Sequence, residues 1–342
     1  MKLAACLMTF FVVTATAVAQ ETSPLTLRIE ARGDVECQHQ EENDKYDWDC
    51  SERFINLRLD GAFSPQWSYS YRHRLNKIIR GENVIDAMDW LYVTYKPTAT
   101  ASLSAGKQVV AIGGYEYDRA PIHLYFCSEF WNQVPCYQWG ASATWHMTEN
   151  NHLTFQFSQS PFRSFWRKDD MFAYNMMWTG AYGLWHTLWS VNAMEWRKGR
   201  FINYIALGNR FEVSDKVSVE ADLLNRASSH QQFLLRDCTL VGELSYRPCS
   251  QLNLFAKASY DVNRSGTEAD LLVKDGTEVW RAGGGVEFYP LKKERMDLRV
   301  HANYCYTWGK NGNENGALQD GLSVVDFVIT WTMQAFSIKK RK

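Results

Sequence analysis

Apolar and polar residues alternate along most of this chain. Near the C-terminus, Leu298, Val300 and Ala302 alternate with Arg299 and His301. In a β-strand this period of two places the two sets on opposite faces of the sheet. Segments of this kind, roughly ten residues long and bounded by turn residues, recur about sixteen times. They cover 24–32, 53–61, 66–75, 87–96, 100–109, 136–146, 152–160, 172–181, 185–195, 200–211, 216–226, 233–246, 251–262, 279–289, 296–306 and 321–333.

The connections between these segments alternate in length. Short ones cover 62–65, 97–99, 147–151, 182–184, 212–215, 247–250 and 290–295. Long ones cover 33–52, 76–86, 110–135, 161–171, 263–278 and 307–320, and two members of the long series, 196–199 and 227–232, are short. A membrane barrel has short turns on one rim and long loops on the other. We therefore predict an all-β, transmembrane antiparallel β-barrel of about sixteen strands, with both chain ends on the short-turn side.

The first residues resemble a secretory signal peptide. Lys2 supplies a positive charge, residues 3–18 are apolar and uncharged, and Ala17-Val18-Ala19 is a small-x-small cleavage site. We expect a signal peptide at 1–19, cleaved near 19/20, then a barrel at 20–336 and a basic tail at 337–342. After the signal, no apolar run approaches the roughly 18–20 residues that a membrane-spanning helix needs.

Composition narrows the class of protein. Aromatic residues make up 14% of the chain, with 14 Trp and 17 Tyr. Such side chains concentrate at both rims of a membrane barrel. The alternative is a secreted β-sandwich with aromatic carbohydrate-binding surfaces. The formal net charge is −1, which argues against nucleic acid as a partner, because a strong basic excess would be expected.

Seven of the eight cysteines follow the signal peptide, so at least one thiol stays free unless chains pair. Cys37 and Cys50 flank one segment and Cys127 and Cys136 flank another, so each pair could close a local disulfide loop after export. No Cys-x-x-Cys with zinc spacing occurs. The sequence thus indicates no metal site and no cofactor.

One short motif carries a family resemblance. The strand ending in Ser104-Ala105-Gly106-Lys107-Gln108 leads into Ile112-Gly113-Gly114-Tyr115-Glu116. With the sixteen-strand pattern, it resembles the phosphate-selective porin family of the bacterial outer membrane. The resemblance implies an outer-membrane channel without enzymatic activity, set among lipid and lipopolysaccharide, through which small hydrophilic solutes, including anions such as phosphate, diffuse. It also implies a long loop after strand 5 that folds inward as a constriction, and a homotrimer of barrels.

The chain departs from the family at its C-terminus. Members of such families usually end on an aromatic residue that the assembly machinery reads, whereas here Phe336 is followed by residues 337–342. This tail puts in question which residue the machinery would read.

If the apolar faces meet lipid, the other faces line the lumen and their charges decide what passes. The anion-binding candidates are Arg28, Arg32, Arg58, Arg72, Arg74, Lys107, Arg119, Arg281 and Arg299. Glu220, Asp222 and Glu243 form an opposing acidic wall across the barrel, which would create a transverse field. Arginine suits phosphate or carboxylate because its planar fork binds bidentately. An equally weighted alternative is that these charges are solvated or paired with neighbours such as Glu30 and Asp60.

The constriction candidates are Tyr115, Glu116, Asp118 and His123, followed by the aromatics Tyr125, Phe126, Phe130 and Trp131. For most of these aromatics, we expect packing of the loop against the inner wall. Lys107 stands at the entry to this loop. Its parity with Leu103 and Ala105 aims it at lipid, so it either snorkels at the rim or turns inward through a bulge after Gly106, which the family resemblance favours.

Two other functions compete with the channel. A hydrolytic barrel would need a Ser/His or Asp/His site, but the eight histidines are scattered and no Gly-x-Ser-x-Gly or His-Glu-x-x-His motif occurs. An adhesive barrel would use its loops, and the acidic stretch 41–49, with Tyr46 and Trp48, would be its surface.

Overall fold

The computed structural model describes residues 25–338, apart from 168–169, 230 and 294. The expected signal peptide at 1–19 and the last four residues of the expected tail lie outside the described residues. Among those described, no helix is long and apolar enough to cross a membrane.

Sixteen antiparallel strands form one closed barrel, as predicted. Each strand pairs with the next along the chain, and β1 pairs with β16, for example Arg32 opposite Thr330. The strands are β1 Leu25–Gln40, β2 Lys45–Ala62, β3 Trp67–Arg74, β4 Met88–Thr98, β5 Ala101–Val109, β6 Tyr137–Thr148, β7 Asn151–Gln159, β8 Phe172–Tyr182, β9 Trp185–Arg197, β10 Arg200–Ser214, β11 Val217–Ser228, β12 Asp237–Cys249, β13 Leu252–Asn263, β14 Thr277–Lys293, β15 Met296–Lys310 and β16 Leu322–Ile338.

The alternation of residues explains the closed sheet. On β6, Trp139 and Trp145 are exposed on the outer face, whereas Gln138 is buried on the inner face. Closure pairs the backbone groups that an open sheet edge would leave unsatisfied in hydrocarbon.

Among the described residues, four short helices and a 3₁₀ turn at Pro121–His123 lie in the long connections, and a second 3₁₀ turn, Glu41–Asn43, joins β1 to β2. The helices are α1 Leu75–Ile79, α2 Tyr115–Asp118, α3 Glu129–Gln133 and α4 Arg163–Trp166.

The first predicted long loop, 33–52, is wrong. β1 and β2 continue through it as a hairpin closed by the Glu41–Asn43 turn, with Cys37 opposite Trp48. The alternation continues into this extension, with Tyr46 and Trp48 on one face of the hairpin and Asp47 and Asp49 on the other, so these residues are strand and not loop. No disulfide forms either: Cys37, Cys50, Cys127 and Cys136 are all free thiols.

The inner face is not polar throughout. On the long-loop side of β8–β11, inward residues such as Ala173, Met194, Ile202 and Tyr204 pack with loop residues into an apolar core. The loop partners include Ile112, Tyr117, Phe130, Phe162, Leu272 and Val273. The expectation that apolar side chains face only lipid is therefore wrong for this quarter of the wall, because three loops fold into the barrel and need an apolar surface to pack against.

Candidate functional site

The connection between β5 and β6, residues 110–136, folds into the lumen as predicted. Its first contacts are with the inner wall of β7–β10, where the amides of Ala111 and Gly113 donate to Gln156 and Ser190, both at 2.8 Å. Gly114 has φ +103°, and a Cβ on Gly208 would lie 2.8 Å from the Gly114 Cα. Glycine at both positions therefore lets the loop lie directly on the strand.

The predicted acidic wall holds the loop. Asp222 accepts the backbone N–H groups of Tyr115 and Glu116 at 2.9 and 2.8 Å. Arg119 pairs with Glu220 at 2.5 Å and with Glu243 at 2.8 Å. All three wall carboxylates are thus engaged by the loop, and they do not form the free acidic surface that a transverse field would need.

Glu116 is buried and turned away from the pore. Its carboxylate pairs with Lys257 at 2.7 Å and accepts from the backbone N–H and the hydroxyl of Ser128, at 3.1 and 2.5 Å. Of the other predicted constriction residues, Asp118 and His123 are exposed and Tyr115 is half-buried.

Glu129 and Asp261 are anchors that the sequence analysis did not select. Glu129 is buried and accepts from Gln133, Asn313 and the Leu318 backbone, so it joins this loop to the one after β15. Asp261 accepts the amides of Glu129 and Phe130 at 2.9 and 3.3 Å. Ser128 is the sequence feature that could have indicated an ordered helix at this point of the loop, because serine is a preferred N-cap residue. Its side chain caps α3 by accepting from the Trp131 amide.

The far end of the loop rests on the opposite wall. Arg32 donates to the Leu124 carbonyl at 2.6 Å, and Arg299 donates to the Ile122 carbonyl at 3.1 Å. Tyr125 donates to Glu287, which pairs with Arg299 at 3.0 Å. The loop therefore crosses the lumen from β9–β11 to β15–β1. Its aromatics Tyr125 and Phe130 pack against Phe255 and Tyr204, as expected for the loop aromatics.

Three predicted arginines form one row on neighbouring strands. Arg28 of β1 lies directly opposite Arg58 of β2, which lies directly opposite Arg72 of β3. Arg58 pairs with Asp60 at 2.8 Å, and Arg72 pairs with Asp89 at 2.8 Å beneath the Trp90 ring. Like charges directly opposite each other on a sheet are destabilising unless compensated.

Arg28, Arg74 and Arg281 differ in how they are held. Arg74 shares Asp89 with Arg72, at 2.9 Å. Arg281 donates a long hydrogen bond, 3.4 Å, to the Cys127 carbonyl and also contacts the Cys305 thiol. Within the described part of the chain, Arg28 has no side-chain hydrogen bond or ion pair.

Lys107 does not line the lumen, and the predicted bulge is wrong. Its pairing continues without a register shift opposite Leu91 and Trp139, whose side chains are exposed on the outer face. The ammonium group instead donates to the Met88 carbonyl at 2.5 Å, near the rim. Gly106 has φ +136° and packs closely against the Leu91 carbonyl. It does not move the Lys107 side chain to the other face of the sheet. Lys107 therefore snorkels, the other possibility that its parity allowed.

The loop divides the lumen into cavities. One of about 330 Å³ on the long-loop side is lined by Arg32, Arg53 and Arg281 and by Glu36 and Asp326. Another of about 330 Å³ on the short-turn side is lined by Arg119 and Arg299 and by Glu220 and Glu243. A third, of about 280 Å³, is lined by the cations Arg28, Arg58, Lys293 and Arg295 against the acids Glu30 and Asp297.

Comparison with known proteins agrees with this architecture. Residues 25–183 match the family described as phosphate-selective porin O and P. No curated protein sequence is significantly similar to the chain.

Solved structures of porins share the fold. The anion-selective porin from Comamonas acidovorans superposes with a TM-score of 0.63 at 8% identity, covering 93% of this chain and 100% of that one. The outer membrane channel DcaP of Acinetobacter baumannii has a TM-score of 0.62 at 12% identity, covering 91% and 98%. OmpT of Vibrio cholerae, in a trimer form, has a TM-score of 0.61 at 12% identity, covering 90% and 99%. The chain is therefore an outer-membrane porin, a channel and not an enzyme, and its N-terminal part matches the phosphate-selective porin O and P family.

Proposed function

We propose that this porin passes small hydrophilic solutes by passive diffusion and prefers anions, phosphate among them. The observation that carries the proposal is the row formed by Arg28, Arg58 and Arg72, in which Arg28 lacks a protein partner among the described residues. A guanidinium group in a water-filled lumen is free to bind an oxyanion through two parallel N–H donors.

The charge balance of the cavities supports the same preference. The cavity containing Arg28 has four cationic and two acidic side chains among its described lining residues. The long-loop cavity has three cations and two acids. The larger short-turn cavity has five cationic and four acidic side chains among its described lining residues. A solute passing the constriction therefore meets a positive excess on both sides of the loop.

Reversal potentials in planar bilayers under a salt gradient test the proposal. We expect the wild-type channel to prefer chloride over potassium, and inorganic phosphate to reduce the chloride current. The double variant Arg28→Ala and Arg58→Ala should lose much of that preference. Arg264→Ala is the matched control, because Arg264 lies at the end of β13 and pairs with the exposed Glu278. Cation preference in the wild type would contradict the proposal.

We also propose that three barrels assemble side by side, through the outer face of β3–β8. The trimer form of the Vibrio cholerae relative supports an assembly of this kind. On this face Ala105, Ala141 and Ala143 form the floor of a depression of about 810 Å³, bordered by aromatics such as Trp67 and Phe155. Such a depression is suited to receive side chains of a neighbouring barrel.

Filling the depression tests the assembly. Ala143→Trp should convert trimers into monomers on unheated gels and in light scattering, because the new ring occupies the proposed contact. Leu240→Trp, on the outer face of β12 where Leu240 is exposed, is the control and should leave trimers intact. Intact Ala143→Trp trimers would exclude this face.

A further inference from the structure

The hairpin above the barrel has an open edge. β2 pairs with β1 over nearly all its length, from Lys45 opposite Gln40 to Gly61 opposite Leu25. It pairs with β3 only from Asn56 to Ala62. Residues 45–55 of β2 therefore form an edge with no neighbouring strand among the described residues.

Side chains cover only the lower part of this edge. Asn76 of α1 donates to the Arg53 carbonyl at 2.8 Å and accepts the Ile55 amide at 3.2 Å, as a paired strand would. Arg80 donates to the Glu52 carbonyl at 3.2 Å. Between Glu52 and the hairpin turn, the described residues contribute no hydrogen bond to this edge, and residues 46–50 are exposed.

The direction of the peptide groups follows from this contact. Successive residues of a strand direct their N–H and C=O groups to opposite edges. The register shift at Arg53 interrupts this alternation and turns the carbonyls of both Arg53 and Glu52 to the open edge. The pairing is regular from Glu52 onward, so Cys50, Trp48 and Tyr46 also direct their peptide groups there. An unpaired row of this kind is a template for another strand, and natural proteins usually cover or interrupt it.

The side chains around the edge are acidic and aromatic. Residues 41–53 carry Glu41, Glu42, Asp44, Asp47, Asp49 and Glu52 against only Lys45 and Arg53. Tyr46 and Trp48 are 62% and 70% exposed on one face of the hairpin. A second copy of this hairpin would bring like charges together, which disfavours edge-to-edge pairing between identical chains.

We propose that the Tyr46–Cys50 edge of β2 is a docking site for an extended, basic segment of a partner protein, which adds a strand to the hairpin. Main-chain hydrogen bonds to Tyr46, Trp48 and Cys50 supply the pairing, as in other strand-addition complexes. Alternating lysines of the partner meet Asp47 and Asp49 on one face, and its apolar residues pack on Tyr46 and Trp48 on the other.

A labelled octapeptide of alternating lysine and valine is the probe, with binding to the purified porin in nonionic detergent followed by fluorescence anisotropy. Two further versions carry backbone N-methyl groups on alternate residues, one version on the lysines and the other on the valines. Each keeps the charge of the peptide but blocks hydrogen bonding along one of its two edges. We expect the unmodified peptide and one methylated version to bind, and the other version to fail. Equal binding of all three, or no binding of the unmodified peptide, would overturn the proposal.

Cys50→Pro provides the matched test on the porin. It removes one N–H from the open edge, where proline is tolerated, and leaves the pairing with β1 intact. We expect it to weaken peptide binding about tenfold, the effect of losing one hydrogen bond and adding a steric block. Cys50→Ala should bind as wild type. Both variants should keep the wild-type reversal potential, which verifies that the barrel is folded, and wild-type affinity of Cys50→Pro would contradict strand addition.

Discussion

The two charged walls of the lumen differ in what their charges contact. On β1–β3, Arg28 and Arg58 line a cavity on the short-turn side, and the row carries three cations. On β11–β13, Asp222 and Asp261 accept backbone amides of the constriction loop, and Glu220 and Glu243 pair with Arg119. The first wall leaves Arg28 without a partner among the described residues, whereas the second uses its charge to hold the loop. Counting charges on strands cannot tell these roles apart.

The largest effect is expected from the pair that locks the loop to the second wall. Lys257 and Glu116 are buried and 2.7 Å apart. Glu116→Gln should lower the free energy of unfolding by about 3–5 kcal/mol, because it leaves the Lys257 ammonium buried without its counterion. Urea titration of the purified barrel measures this loss.

The double variant Glu116→Gln and Lys257→Met is the control for that measurement. It removes both charges, so most of the lost stability should return. If the double variant is as unstable as the single one, the loss comes from the hydrogen bonds of Glu116 to Ser128 and not from the buried charge.

A smaller effect, on selectivity, is expected from Arg119. Arg119→Ala removes the cation that Glu220 and Glu243 share, so the negative charge of the second wall increases towards the lumen. A unit charge acts on an ion about 8 Å away in water with about 0.5 kcal/mol, or roughly a twofold change in its occupancy. The ratio of cation to anion permeability, derived from the reversal potential, should therefore rise about twofold for each uncompensated carboxylate.

The converse variant sharpens this prediction. Glu220→Gln with Glu243→Gln leaves Arg119 uncompensated, so its shift should go towards anions. A shift of the same sign in both variants would show that loop displacement, and not wall charge, controls the selectivity.

The strands could be predicted because water lies inside the barrel and lipid outside, so the two faces of each strand differ in polarity. The hairpin at 33–52 was missed because it extends β1 and β2 beyond the roughly ten residues expected of a barrel strand, although Tyr46 and Trp48 alternate there with Asp47 and Asp49. The inward loop after β5 was predicted from its length and position. Its anchors, Glu129 and Asp261, could not be, because the hydrogen bonds by which they join the loop to the wall and to the loop after β15 link residues 131 positions apart or more.

Lys107 shows how the period of two and the family resemblance can disagree. The period placed Lys107 with Leu103 and Ala105 on the outer face, and the resemblance turned it inward. The unbroken register opposite Leu91 and Trp139 supports the period. In a regularly hydrogen-bonded strand, the register fixes the face of the sheet on which each side chain lies. A single side chain can reach the other face only where a bulge interrupts that register.

The smallest expected effect therefore belongs to Lys107 itself. Lys107→Met keeps the length of the side chain and removes a charge that lies on the outer face at the rim, with its ammonium group on the Met88 carbonyl. We expect a reversal potential equal to that of the wild type, in contrast to the shift from the Arg28 and Arg58 double variant. A shift of comparable size would place Lys107 in the permeation path, and the arginine row would then no longer be sufficient to explain anion preference.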